Sequence, residues 1–173
     1  MSAPKLRLPA VDPKTVDEVR GSLYPEPFKS RVGDRVKRRV GDACGLTQFG
    51  VNLVTLGPGG QSALRHWHTH EDEFVYVISG ELTLVTNAGE QMLTTGMCAG
   101  YPANRDDAHH FINRSQRPAQ YLEVGSRVEA DNAFYPDDDL MWVEPGGAQR
   151  TPKRRSASVA AHKDGRLYEP SGD

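Results

Sequence analysis

Four side chains that could bind a metal fall within eight residues: His66, His68, His70 and Glu73, directly ahead of the apolar run Phe74-Val75-Tyr76-Val77-Ile78. On a β-strand, side chains two apart share a face and sit about 6.5–7 Å apart along it, so His66 and His68 can reach one point between them. Imidazole and carboxylate together suit one borderline divalent ion, Zn, Fe, Mn or Ni, and the absence of a nearby thiol disfavours a soft-metal site. A His-x-His pair needs further ligands. Glu73 is near in sequence, and a second cluster offers His109 and Asn113, preceded by Gly96 and Pro102. His70 shares the parity of His66 and His68 but lies beside Glu71 and Asp72, where a turn is expected, so it is placed around the ligands rather than among them.

The elements that must position these groups are short. From Gly45 onward the spacing predicts strands over Leu46–Leu56, Phe74–Ser79, Leu82–Thr86, Gln91–Thr95, His109–Asn113 and Gln120–Val124. Glycine-bearing turns divide them, among them a hairpin tip at Asn87-Ala88-Gly89. No helix-length amphipathic segment intervenes, which argues for an all-β antiparallel sandwich or barrel. On the strand from Glu73, Val75 and Val77 point inward with the carboxylate. Phe74, Tyr76 and Ile78 point outward, a face apolar enough to suggest a covering arm or a homodimer interface. Phe111 shares the inward parity of His109.

The flanks differ in texture. Residues 1–44 are rich in proline and charge and read as an extended N-terminal arm, with a short helical turn near Thr15–Val19 and an edge strand in the weakly alternating Lys29–Val40. Residues 129–173 read as a partly flexible C-terminal extension, with loops at Asp137–Asp139 and Pro145–Gly147 and a flexible Pro152–Ser158. Its Leu140-Met141-Trp142 cluster is expected to dock on the barrel or on a second subunit. Cys44 and Cys98, far apart and without CxxC spacing, read as small buried residues. A chain of 173 residues with net charge −2 suits one domain whose partner is a small molecule rather than nucleic acid. No apolar run approaches the eighteen or so residues of a membrane span, so a soluble, cytoplasmic protein is expected.

The two clusters together resemble the two motifs of the cupin superfamily. The first reads Gly60, five residues, His66-x-His68, four residues, Glu73, six residues, Gly80, and matches at every spaced position. The second reads Gly96, five residues, Pro102, then His109, three residues, Asn113. It departs from the usual Pro-x-Gly-x-x-His because Asn104 replaces the glycine and Arg105-Asp-Asp-Ala108 lengthens the loop.

The resemblance implies a jelly-roll β-barrel (a double-stranded β-helix) over residues 45–128 with a metal in its mouth. His66, His68, Glu73 and His109 would be the ligands, His110 the outward neighbour of His109, and Asn113 a supporting residue beside His70. In related sites the glutamate coordinates, swings away or takes a proton during turnover, so Glu73 is also the catalytic candidate.

Candidate groups around a substrate are Gln48, Asn52, Tyr101, Phe111 and Glu123. Arg65 and Trp67 face the other way on a regular strand. The function expected is an enzyme acting on a small oxygenated molecule, of dioxygenase, decarboxylase or lyase type. The alternatives are a sugar or sugar-phosphate isomerase and a non-catalytic binder of metal or small ligand.

Overall fold

The computed structural model describes residues 6–129, 131–143 and 159–168. In chain order its elements are β1 (Glu18–Arg20), β2 (Arg35–Arg38), the short helix α1 (Val40–Ala43), β3 (Phe49–Leu56), β4 (Trp67–His68), β5 (Glu73–Ser79) and β6 (Glu81–Thr86). They continue with β7 (Gly89–Thr94), β8 (Cys98–Tyr101), β9 (His110–Ile112), β10 (Ala119–Ser126), β11 (Ala133–Tyr135), β12 (Leu140–Val143) and β13 (Val159–Ala161). One sheet runs β1-β2-β3-β10-β5-β8, a second β7-β6-β9 and a third β13-β12-β11-β4. The fold is an all-β jelly roll.

Alternation decides what is inside. Strand β5 buries Val75 and Val77 and leaves Phe74, Tyr76 and Ile78 exposed at 43, 42 and 37%. Val54 and Leu56 from β3, Leu82 and Leu84 from β6, Phe111 from β9 and Tyr121 from β10 complete the core. Each such side chain contributes about 1.5–3 kcal/mol by leaving water. Strand β10 lies between β3 and β5, pairing antiparallel with both, and so fixes the wall from which Glu73 projects. The hairpin tip is where the sequence puts it: β6 and β7 close at Thr86↔Gly89 around a two-residue loop, with Gly89 at φ 117°.

Gly80, the last residue of the first motif, has φ +80°, and a Cβ there would come within 2.9 Å of the Ala119 Cα and 3.0 Å of the Pro118 carbonyl oxygen. Backbone on β10 cannot yield as a side chain would. Gly80→Ala is therefore expected to lower unfolding stability by about 3 kcal/mol, from left-handed strain and overpacking together, as read by urea denaturation. A loss under 1 kcal/mol would show that the turn relaxes freely.

Three expectations change. The strand expected in Lys29–Val40 is the shorter β2, and it lies between β1 and β3 rather than at an edge. Its outer neighbour β1 comes from the stretch where a helical turn was expected; the turn that forms is a 3₁₀ turn at Pro13–Thr15, capped by Asp12, whose carboxylate accepts from the Lys14 N–H. Cys44 and Cys98 are both exposed. Cys98 opposes outward-facing Tyr76, so strand parity puts it on the solvent side.

Leu140 docks as expected. It is fully buried with Phe28, Val32, Leu64, Ala133 and Tyr135 in a second apolar cluster that joins residues from both flanks. Asp137–Asp139 lie in the turn between β11 and β12. The loops expected at 145–147 and the flexible segment at 152–158 lie outside the described residues. Among the described residues, no helix is long and apolar enough to cross a membrane.

Candidate metal centre

The two motifs meet through backbone. The segment 59–66 runs antiparallel to 109–113: Gly59 N–H donates to the Asn113 carbonyl (2.8 Å) and Ser62 N–H to that of Phe111 (2.9 Å), while His66 and His109 exchange both their N–H···O bonds (3.1 and 2.8 Å). His68 on β4 is held opposite Ala133 of β11. Glu73, first residue of β5, sits between Gly125 of β10 and Tyr101 of β8. Its Oε2 lies 3.8 Å from His66 Nε2, 3.7 Å from His68 Nε2 and 3.1 Å from His109 Nε2.

The far side of each ring shows what the near side is for. His66 Nδ1 lies 2.8 Å from the Leu64 carbonyl and His68 Nδ1 lies 2.6 Å from Asp131 Oδ2. Both contacts put a proton on Nδ1, which turns the Nε2 lone pair toward Glu73 in the neutral ring. His109 Nδ1 is buried without a partner; its ring is held instead by face-to-face stacking on Tyr101, with centroids 3.4 Å apart. Glu73 Oε2 is likewise buried with no satisfied hydrogen bond. A buried carboxylate oxygen without a donor, ringed by imidazole nitrogens, is what a cation would complete. Ligand atoms of His66, His68 and Glu73 lie within 4.8 Å of one another, so this group could hold a divalent ion.

The electrostatics of the metal-free cluster agree with that reading. Burial holds His66 down to about 3 against the pull of Glu73. Burial also opposes charge on His68, but Glu73 and Asp131 outweigh it and push the ring up to about 9. For Glu73, too, burial works against the charge, and the His68, His109 and His66 imidazoles overcome it, keeping the carboxyl well below its usual range. Of the two rings so shifted, His68, with the most carboxylate around it, is the one that favours the charged form.

A cavity of about 210 Å³ opens on the cluster, walled by Trp67, His68, Glu73, Tyr101, Arg105 and His109. Of the expected substrate residues, Tyr101 lines it. Asn52 and Glu123 lie on inward positions but are spoken for: Glu123 Oε1 accepts from Lys37 Nζ (2.7 Å) and from Asn52 Nδ2 (2.9 Å). Phe111 is core. Gln48 is exposed ahead of β3, its carbonyl taken by the Arg127 N–H. Trp67 stacks on Phe134 and also walls the cavity, and Arg65 forks onto the Asp137 carboxylate. The His70 side chain is exposed beside Thr69. Asn113, fully buried, donates to the Leu56 and Arg117 carbonyls and accepts from Ser115, so it builds a turn rather than supporting the imidazoles.

The residue that sequence reasoning missed is Asp131. Besides His68 it accepts from the backbone N–H groups of His70 (2.8 Å) and Glu71 (3.2 Å), tying down the chain between two ligands. The available signal was the alternating Ala133-Phe134-Tyr135 just after it, readable as a strand. Asp131→Asn keeps the shape but weakens the charge-assisted bond. It is expected to cost about 10–100-fold in metal affinity, measured by competition with a chelating dye; unchanged affinity would make Asp131 a loop anchor only.

A jelly roll carrying three imidazoles and one carboxylate beside a cavity defines a class of candidate metal proteins. The chain belongs to the cupin superfamily: the cupin domain model matches residues 52–125. A sugar phosphate isomerase of the cupin superfamily from Silicibacter pomeroyi is 39% identical over 96% of this chain and 97% of that one, with TM-score 0.81. A protein from Acidithiobacillus ferrooxidans, whose assignment as a sugar phosphate isomerase is itself provisional, is 27% identical over 79% of this chain and 81% of that one, TM-score 0.65. The polyketide cyclase RemF from Streptomyces resistomycificus, 19% identical over 68% and 78% with TM-score 0.55, shares the fold alone. Among curated proteins none matches the chain.

Proposed function

We propose that this chain is a metal-dependent enzyme that moves a proton on a small hydroxy-carbonyl compound, interconverting an aldose and a ketose phosphate. The observation that carries the reading is the buried, donor-less Glu73 Oε2 with three imidazole Nε2 atoms within 3.8 Å, facing a cavity. His66, His68, Glu73 and His109 would hold a divalent ion, whose chemistry is to polarise a bound oxygen as a Lewis acid. Likeness to a sugar phosphate isomerase over nearly the whole chain supports the choice of reaction.

The remaining roles belong to side chains. Tyr101 and Trp67 wall the cavity and keep water from the reacting end. A carboxylate held as far below its usual range as Glu73 is a weak base, so coordination suits it better than proton abstraction. Glu71 and Asp107 also line the cavity, and a proton leaving substrate carbon would pass to one of their carboxylate oxygens and return from it to the neighbouring carbon.

The test is incubation of metal-loaded protein, without oxygen, with short aldose and ketose phosphates in D₂O, followed by proton NMR. Deuterium should enter the carbon next to the carbonyl, and a chelator should stop it. Turnover that requires O₂ or releases CO₂ would overturn the reading in favour of a dioxygenase or decarboxylase.

A further inference from the structure

The second motif departs from the cupin spacing in the loop Ala103–Ala108, and the departure places a cation at the cavity wall. Its flanks are braced. Ala103 N–H donates to Asp72 Oδ1 (2.7 Å), and Asn104, at φ 57°, donates its N–H to the His68 carbonyl (2.9 Å). On the other side, Asn87 N–H donates to Asp107 Oδ1 (2.9 Å) and Asn87 Nδ2 to the Asp106 carbonyl (2.8 Å). Between these anchors Arg105 walls the cavity together with His68, Glu73 and His109. Its guanidinium makes no ion pair or hydrogen bond among the described residues, although Glu71 and Asp107 border the same cavity.

An exposed arginine is ordinarily just solvated. This one differs because a loop fixed on both sides, one anchor being a ligand residue's own carbonyl, holds it on the wall of the cavity that opens on the candidate centre. From this we infer that Arg105 is the anion anchor of the substrate site, taking a phosphate monoester at one end of a small molecule whose oxygenated end faces Glu73 and the imidazoles. The planar fork of Arg matches two phosphate oxygens at once, and binding there leaves the inner wall for the uncharged, reacting end. A cavity of about 210 Å³ limits that end to a short chain. The inference rests on the isomerase reading for the identity of the reacting end, while the anion contact stands on Arg105 alone.

The experiment is calorimetric titration of metal-loaded full-length protein with glycerol phosphate, glycerate and glycerol, on the native chain, Arg105→Ala and Arg105→Lys, with metal content measured for each. The native chain should bind glycerol phosphate most tightly. Arg105→Ala should weaken it about 10–100-fold, the range for hydrogen bonds to a charged group, and leave glycerol and metal content unchanged, while Arg105→Lys recovers part of the loss. Equal affinity of native and Arg105→Ala protein for glycerol phosphate, or no binding by the native chain, overturns the inference. Tighter binding of glycerate than of glycerol phosphate overturns the choice of phosphate. Should Arg105→Ala lose metal, Arg105→Lys carries the comparison, and a lysine variant that keeps metal and binds glycerol as well as glycerol phosphate refutes the anchor. Arg105-dependent binding without deuterium exchange on any sugar phosphate would sink the isomerase reading and leave the anchor standing.

Discussion

Alanine at His68 is expected to leave the purified protein without stoichiometric metal. Losing only the group behind a liganding histidine costs about 10–100-fold in affinity, so losing the ring itself should exceed about 100-fold. Two further consequences follow from its position. Asp131 Oδ2 loses its 2.6 Å partner, and Glu73 loses the first of the imidazoles that hold its charge. The controls are built into the sequence: His70→Ala and His110→Ala should keep their metal, since the first side chain is exposed and the second is turned to the Ala63 carbonyl. Plasma mass spectrometry of the dialysed proteins decides, and full metal occupancy in His68→Ala would remove it from the ligand set.

Metal uptake should depend steeply on pH. In the metal-free protein His68 is raised to about 9, so below that value one proton must leave before Nε2 can bind an ion. Apparent affinity should then rise about tenfold per pH unit through the neutral range, near 100-fold between about pH 7 and pH 9, and level off above. His66, held down to about 3, has no proton to give there and adds nothing to that slope.

The same shift sets stability without metal. A folded value near 9 against about 6.5 unfolded gives His68 a stabilising contribution that is complete below pH 6.5 and is lost as pH rises through 9, on the order of 2–3 kcal/mol. The metal-free melting temperature should fall over that interval while the metal-loaded one stays flat. A flat metal-free profile, or metal affinity independent of pH, would mean that His68 is neutral and that Asp131 and Glu73 do not act on it together.

The strands and the cluster were legible for one reason. Strand parity is a local property, so Val75 and Val77 inside and Phe74, Tyr76 and Ile78 outside follow from the sequence spacing alone. The shared face of His66 and His68 follows likewise, whereas Glu73 on β5 and His109, bridged to His66 through backbone, were placed with them only by the motif resemblance. What stayed hidden depends on pairings between distant segments. Asp131 reaches His68 because β11 pairs with β4, across more than sixty residues. Glu123 and Asn52 have the inward parity expected of pocket residues, but Lys37 comes from the stretch read as an arm and neutralises the carboxylate. Arg105 was visible only as a loop that failed to match, and its position over the cavity needed the anchors at Asp72, His68 and Asn87.

The most direct measurement is the metal content of the purified chain, joined to anomalous diffraction at the absorption edge of the metal found. One divalent ion per chain is expected, bound by the Nε2 atoms of His66, His68 and His109 and by Glu73. A protein with no stoichiometric metal, or an ion placed away from Glu73 Oε2, would contradict it.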